Sequence, residues 1–212
     1  MRKIFGHRGL PHIYEENTFK SLNKAQEICD FVETDVRITK DKELVLYHDA
    51  EIQTKKIEEL SLSDINELID IEISEIHLVS RKQIKGDTNF ELKISSKDDD
   101  LNKVFLEKII NLTNPEDIVS SFDWEIILNN RESFKSKYGI LIDKENQLFE
   151  SKAMSNLDEK LMFMVEKEIF YSRNFDLPLE RCVVWTVNDK GEINSVLNMN
   201  VYGVVTDIGD KL

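Results

Sequence analysis

The run Phe31–Ile38 reads FVETDVRI. In an extended strand the side chains alternate, so Glu33, Asp35 and Arg37 share one face while Val32, Thr34, Val36 and Ile38 share the other. Three charges on one face of an otherwise apolar strand would cost on the order of several kcal/mol if buried and unpaired, so they must meet water, each other or a cation. Two carboxylates at i and i+2 can converge on a hard divalent ion through oxygen ligands. A solvated edge strand, or an ion pair with Arg37, accounts for the same residues, and the pattern alone leaves both open. The run Asn89–Ile94 repeats the device, with Glu91 and Lys93 on one face and Phe90, Leu92 and Ile94 on the other. From a neighbouring strand Glu91 would add a third carboxylate, and Lys93 a point charge for a phosphate oxygen. A Glu–Lys surface pair is the plain alternative, and it weakens if both strands are central.

Histidines are few: His7, His12, His48 and His77. His7 and His48 stand just after short apolar runs, in KIFGHRG and ELVLYHD. Strand ends of a parallel barrel carry catalytic groups, and a histidine there serves as general acid or base near neutral pH. Either alone is more simply a structural residue. Two of them flanking a carboxylate pair point to chemistry.

The elements needed to position these residues alternate along the chain. Strands are predicted at Lys3–Gly6, Phe31–Ile38, Asn89–Ile94, Asp117–Phe122, Tyr138–Ile142, Cys182–Val187 and Tyr202–Thr206. Helices are predicted at Asn17–Ile28, capped by Asn17 or Thr18, and at Leu101–Leu112, Trp124–Phe134 and Glu192–Asn198. This βα repetition is the pattern of a parallel α/β fold. An eighth strand, needed to close a barrel, is placed near the start of Leu161–Tyr171. The segment Glu51–Thr88 carries one helical pattern, Ser63–Ile69, and no clear strand of the main sheet, so residues 49–88 are expected to form a small insertion or lid after the second strand. No repeat or linker interrupts the chain, and residues 1–212 are expected to be one domain.

Composition narrows the partners. Twenty-eight Lys and Arg against forty-one Asp and Glu give a net charge of -13, which repels nucleic acid and anionic membranes. A phosphate-bearing ligand would need a bound cation or a focused basic pocket to offset that field. The first residues, MRKIFGHRGL, lack the apolar stretch of about 7 to 15 residues that a secretory signal requires, and no run reaches membrane-spanning length. A cytoplasmic protein without a stable membrane anchor is expected. Cys29 and Cys182, read as lying in a helix and a strand, follow no CxxC spacing and are expected to be buried free thiols. Oligomeric state is not encoded in any of these features.

Residues 7–49, HRGLPHIYEENTFKSLNKAQEICDFVETDVRITKDKELVLYHD, resemble the N-terminal signature of the glycerophosphodiester phosphodiesterases, with HRG, ENT, ExD, the TKD turn and HD in the family's order. Further on, NFELK, VSSFD, VVWTVND and YGVVTD are similar to later strand elements of that family, so the likeness spans His7 to Asp207. It implies a (β/α)8 TIM-type barrel that hydrolyses glycerophosphodiesters to an alcohol and glycerol 3-phosphate. By the same resemblance, Glu33, Asp35 and Glu91 would bind one divalent cation, Mg²⁺ or Ca²⁺. His7 and His48 would be the acid and base, Arg8 and Lys93 would hold the phosphate, Glu16 would brace Arg8, and Trp185 would pack against the glycerol or simply lie in the core. Trp124 is expected to serve helix packing.

Some positions depart from the family pattern. Glu15 replaces a Pro before Glu-Asn-Thr, and Asp41-Lys42 replaces an Asp-Gly turn. The family's Pro-Thr-Leu element and helix are not found between Asp49 and Thr88, and the sequence runs only a few residues past YGVVTD, short for a final helix. An irregular or incomplete barrel is therefore an expected variant. A lysophospholipase D-like enzyme is the first alternative in function, with Ile71, Ile73, Ile76 and His77–Ser80 as an apolar mouth. A non-catalytic binding relative is the second.

Overall fold

The computed structural model of the chain describes residues 2–68 and 76–212. Eight parallel strands close into a barrel: β1 (Lys3–Gly6), β2 (Phe31–Ile38), β3 (Thr88–Leu92), β4 (Ile118–Ser121), β5 (Lys137–Ile142), β6 (Leu161–Glu166), β7 (Cys182–Trp185) and β8 (Gly203–Thr206). Strand β1 uses both its edges, so the (β/α)8 barrel that the resemblance implies is closed, while the antiparallel excursion after β2 and the lack, among the described residues, of a full helix after β8 make it irregular. Lys3–Gly6 pair with Gly203–Thr206, while Phe5 and Gly6 pair with Phe31 and Val32. Strand β6 does begin at Leu161. Its run LMFMV is buried at all five positions, so it has no alternation from which a strand could be told from a helix.

Side-chain alternation sorts the apolar residues into two layers. Phe5, Phe31, Ile118, Leu141, Met162, Met164, Val183 and Val205 form a cluster inside the barrel, where Phe5 and Phe31 stack with ring centroids 4.6 Å apart. The intervening residues, among them Val32, Val36, Phe90, Val119, Ile140, Phe163 and Val184, pack outward against the helices. These are α1 (Phe19–Ala25), α3 (Asp99–Leu112), α4 (Trp124–Asn129), α5 (Gln147–Met154), α6 (Lys167–Phe170) and α7 (Lys190–Asn198), with α2 (Leu62–Leu68) in the segment between β2 and β3. Trp124 opens α4 and donates its indole N–H to the Leu141 carbonyl at 2.8 Å, as helix packing requires.

Helix α1 is shorter than its apolar spacing predicts. Thr18 is the cap, its hydroxyl oxygen accepting the Ser21 N–H at 3.2 Å, and Asn17 at φ 57° lies outside the helix. The helix ends at Ala25 and gives way to turns; Ile28 is 53% exposed, and Cys29 lies beyond the helix rather than in it. Both cysteines are free and buried.

Between β2 and β3 the chain makes an excursion with its own framework. A short strand, Leu44–Leu46, runs antiparallel to β2, and His77–Leu78 pairs with it in turn. The expectation that Glu51–Thr88 lacks a strand of the main sheet is thus corrected: two residues join it as an antiparallel edge, too few to show period-2 alternation. Val45, Ile52, Ile57, Leu60 and Ile65 form a separate apolar cluster here. Ile76 packs against this cluster, Val79 packs against the main core, and the His77 ring stacks on Phe19 at 4.3 Å. Ile76, His77 and Val79 therefore serve edge packing, while Leu78 is exposed. Ile69, Ile71 and Ile73 lie outside the described residues. Lys42, at the turn before this strand, takes φ 68°, a left-handed conformation that glycine would adopt without strain. Among the described residues no helix is long and apolar enough to cross a membrane.

Candidate active site

The inward face of β2 changes character along its length. Phe31 belongs to the interior cluster, and Glu33, Asp35 and Arg37 follow toward the C-terminal end, all buried. Strand β3 lies alongside in register, setting Asn89 beside Glu33 and Glu91 beside Asp35. Strand spacing and the i, i+2 repeat therefore bring Glu33, Asp35 and Glu91 together, with carboxylate oxygens within 4.8 Å of one another.

The loop after β1 completes one wall. The Arg8 N–H donates to Glu33 Oε2 at 3.0 Å, and the Arg8 carbonyl accepts from the Asn17 N–H at 3.1 Å and from the Ser21 hydroxyl at 3.2 Å. Arg8 itself is held at φ 50°. Gly9 follows at φ 94°, where a Cβ would stand 2.3 Å from Ser21 Oγ, so no other residue fits this turn against α1. The Arg8 guanidinium pairs with Glu16 at 2.8 Å and lies 3.2 Å from Asp35 Oδ2. Lys93 pairs with Glu91 and stands 3.1 Å from Asp35 Oδ1.

Sequence reasoning offers Asn17 as a helix cap, but it instead braces the carboxylates. Its Nδ2 donates to Asp35 Oδ2 at 2.9 Å, and its Oδ1 accepts from the Asp35 N–H at 3.0 Å and the Thr34 hydroxyl at 2.8 Å. Asp207 and Asn188 receive no role from the sequence, although both stand in the motifs YGVVTD and VVWTVND. His7 Nδ1–H donates to Asp207 Oδ1 at 2.6 Å, leaving Nε2 facing Glu33 Oε2 at 3.9 Å. Asn188 donates to Asp207 Oδ2 at 2.5 Å and accepts the Asp207 N–H at 2.9 Å. Asn89 shares a face with Glu91 by the same alternation and accepts from Ser120 at 2.9 Å.

His48 arrives differently from the expected barrel-strand end. It follows the antiparallel strand Leu44–Leu46, whose last bond to β2 runs from the Tyr47 N–H to the Asp35 carbonyl at 3.1 Å. Its Nδ1–H donates to Asp49 at 2.8 Å. Trp185, at the end of β7, lines a cleft of about 30 Å³ with His7, Glu33, Asn89, Glu91, Leu141 and Met164. Its ring meets Phe122 edge-on at 5.9 Å.

Burial and charge pull these carboxylates apart. Burial, then repulsion from Asp35, pushes the Glu33 carboxyl up to about 8. Burial also raises Glu91, with Lys93 opposing it only in part. For Asp35 burial is outweighed by Lys93 and Arg8, which hold it below the usual carboxylate range. His7 loses affinity for its proton through burial but regains more through Asp207 and Glu33, and ends above its ordinary value.

Acid-lined and with basic side chains within reach, this mouth suits a phosphate-bearing ester. A profile of the Glycerophosphoryl diester phosphodiesterase family matches residues 7–174, and the chain belongs to that family. The fold is similar to that of a glycerophosphodiester phosphodiesterase from Thermotoga maritima, with a TM-score of 0.75 and 25% identity over 99% of this chain and 96% of that one. A phosphodiesterase from Oleispira antarctica, solved in complex with the product sn-glycerol-3-phosphate, shares the fold with a TM-score of 0.76 at 17% identity, covering 100% of this chain and 95% of that one. An uncharacterized protein of Mycoplasma genitalium is 27% identical over 96% of this chain and 94% of its own length.

Proposed function

We propose that the chain hydrolyses glycerophosphodiesters to an alcohol and glycerol 3-phosphate, with His7 and His48 moving the protons and one divalent cation, Mg²⁺ or Ca²⁺, held by Glu33, Asp35 and Glu91. The observation that carries this reading is the convergence of three buried carboxylates, one of which, Glu33, keeps Oε1 buried without a hydrogen-bond partner. An orphaned carboxylate oxygen beside two others is a poor arrangement by itself and a good one around a hard cation. Bound there, the ion would offset negative charge growing on the phosphoryl oxygens.

The chain's own groups supply the rest. Asp207 fixes the His7 tautomer with the proton on Nδ1, so Nε2 is the atom that exchanges a proton with the ester. Asp49 does the same for His48. Arg8, steadied by Glu16, and Lys93 provide donors for the phosphate. Trp185, with Leu141 and Met164, offers an apolar wall for the glycerol. The attacking oxygen is either water or a glycerol hydroxyl, and trapping a cyclic phosphate under rapid quench would select the second.

The test is release of glycerol 3-phosphate from glycerophosphocholine and glycerophosphoethanolamine with Mg²⁺, with Ca²⁺ and with excess chelator. Release is expected to stop with chelator and to be lost in folded His7→Ala and His48→Ala variants. Full activity in either variant would overturn the assignment. Turnover of micellar lysophospholipids alone would move the protein to the lysophospholipase D-like reading, and ligand binding without turnover of any phosphodiester would make it a binding protein.

A further inference from the structure

Arg37 is the third charge on the inward face of β2, and the reaction outlined above leaves it without a task. Its residue is only 7% exposed, yet its hydrogen bonds go to carbonyls and a hydroxyl rather than to a carboxylate. Nε and Nη2 both donate to the His48 carbonyl, at 3.0 and 2.6 Å, while Nη1 donates to the Lys93 carbonyl at 3.2 Å and to Ser95 Oγ at 3.3 Å. Ser95 in turn donates to Glu58 Oε2 at 2.9 Å, in the excursion between β2 and β3. One planar cation thus joins the backbones of two residues assigned to the chemistry, which lie 45 positions apart in the chain.

Stability is a weak reason to keep such a group. A buried cation carries a desolvation cost that an apolar side chain of similar volume avoids. What the guanidinium supplies instead is direction: two donors converging on one carbonyl fix its orientation as well as its distance, which a lysine ammonium cannot do. His48 needs this more than His7 does. It follows the last ladder bond of a three-residue strand, and its ring is bonded to an exposed aspartate, whereas His7 and its partner Asp207 sit at the ends of two paired barrel strands.

We infer that Arg37 is a positioning residue: by clamping the His48 and Lys93 carbonyls it sets the separation at which the second histidine and the phosphate-holding lysine meet the ester. The inference rests on the roles given to His48 and Lys93 above. The test compares Arg37→Met and Arg37→Lys with wild type, reading kcat and KM for glycerophosphocholine per folded molecule. An Arg81→Met variant serves as control, because Arg81 is a partly buried arginine that bonds Gly86 and Thr88 at the start of β3; it is expected to lose stability and keep kcat. Both Arg37 variants are expected to lose about 10- to 100-fold in kcat with little change in KM.

Amide exchange, followed by mass spectrometry on wild type and Arg37→Lys, reads the clamp without turnover. Peptides covering residues 47–50 and 93–96 should lose protection while the rest of the barrel keeps it. A kcat within twofold of wild type or unchanged protection of both segments would overturn the inference. A wild-type protein that turns over no glycerophosphodiester would sink the underlying functional reading instead, and the exchange data would still say whether the clamp exists.

Discussion

Asn17→Ala removes one amide and should cost far more than one hydrogen bond. Asn17 is buried at φ 57° and meets the Asp35 N–H, the Thr34 hydroxyl and an Asp35 carboxylate oxygen at once. Leaving two buried donors unpaired costs about 1–3 kcal/mol each. Alanine in a left-handed conformation adds roughly 1–2 kcal/mol, since asparagine tolerates that region and alanine does not. The expected loss is on the order of 4 kcal/mol, or about 8–16 °C in Tm for a domain of this size. Because Asn17 also holds Asp35 in place, cation affinity should fall by about tenfold. Adding Thr34→Val, which deletes one of the orphaned donors, should restore about 1 kcal/mol. Thermal unfolding with chelator and calorimetric titration with Mg²⁺ check both parts. A Tm within about 3 °C of wild type together with unchanged cation affinity would refute the reasoning.

In chelator, Glu33 should make the protein less stable as pH rises. Its folded pKa of about 8 exceeds the ordinary 4.5, so the folded state holds the extra proton between those values and stability falls across that window. Stabilisation by added divalent cation should grow over the same range, and Glu33→Gln should flatten the Glu33 part of the chelator profile, all visible in melting curves. Asp207→Asn should lower the His7 midpoint in an NMR titration of the chelated protein, because the charge opposing the effect of burial is gone; kcat should fall between about 10- and 10⁴-fold by analogy with a carboxylate that orients a catalytic imidazole. Lys42→Gly should raise Tm by about 1–4 °C, relieving the strain at φ 68° at the cost of a more flexible unfolded chain.

Much of the barrel is legible in the sequence because its strands carry alternation. In β2 the charged and apolar residues fall on opposite faces, so the period of the strand alone pairs Glu33 with Asp35, and Glu91 joins them once a second strand repeats the pattern. Elements that lack a period are harder to read. The buried run of β6 has none, α6 spans four residues, and α5 carries an 83%-exposed Phe149 that breaks its apolar face. Asn17 is deceptive because a polar residue ahead of an apolar helix looks like a cap whether or not it turns the other way. Asp207 and Asn188 lie in recognisable strings, and the expected barrel makes β8 and β1 neighbours, but no residue type says that Asp207 turns its carboxylate to His7. The task inferred for Arg37 depends likewise on backbone atoms, which no residue type announces.

The aromatic and aliphatic plug inside the barrel has a kinetic consequence. Phe5, Phe31, Met162 and Val183 fill the floor beneath the carboxylates, so the chamber is closed at its base. In the proposed reaction, alcohol and glycerol phosphate would leave through the entrance used by the diester. Traffic then becomes sequential: whichever product sits nearer the doorway departs first, and the one left deeper blocks the next substrate. Glycerol 3-phosphate held against the basic side chains would behave as a competitive inhibitor, and turnover should slow as it accumulates even while diester remains in excess.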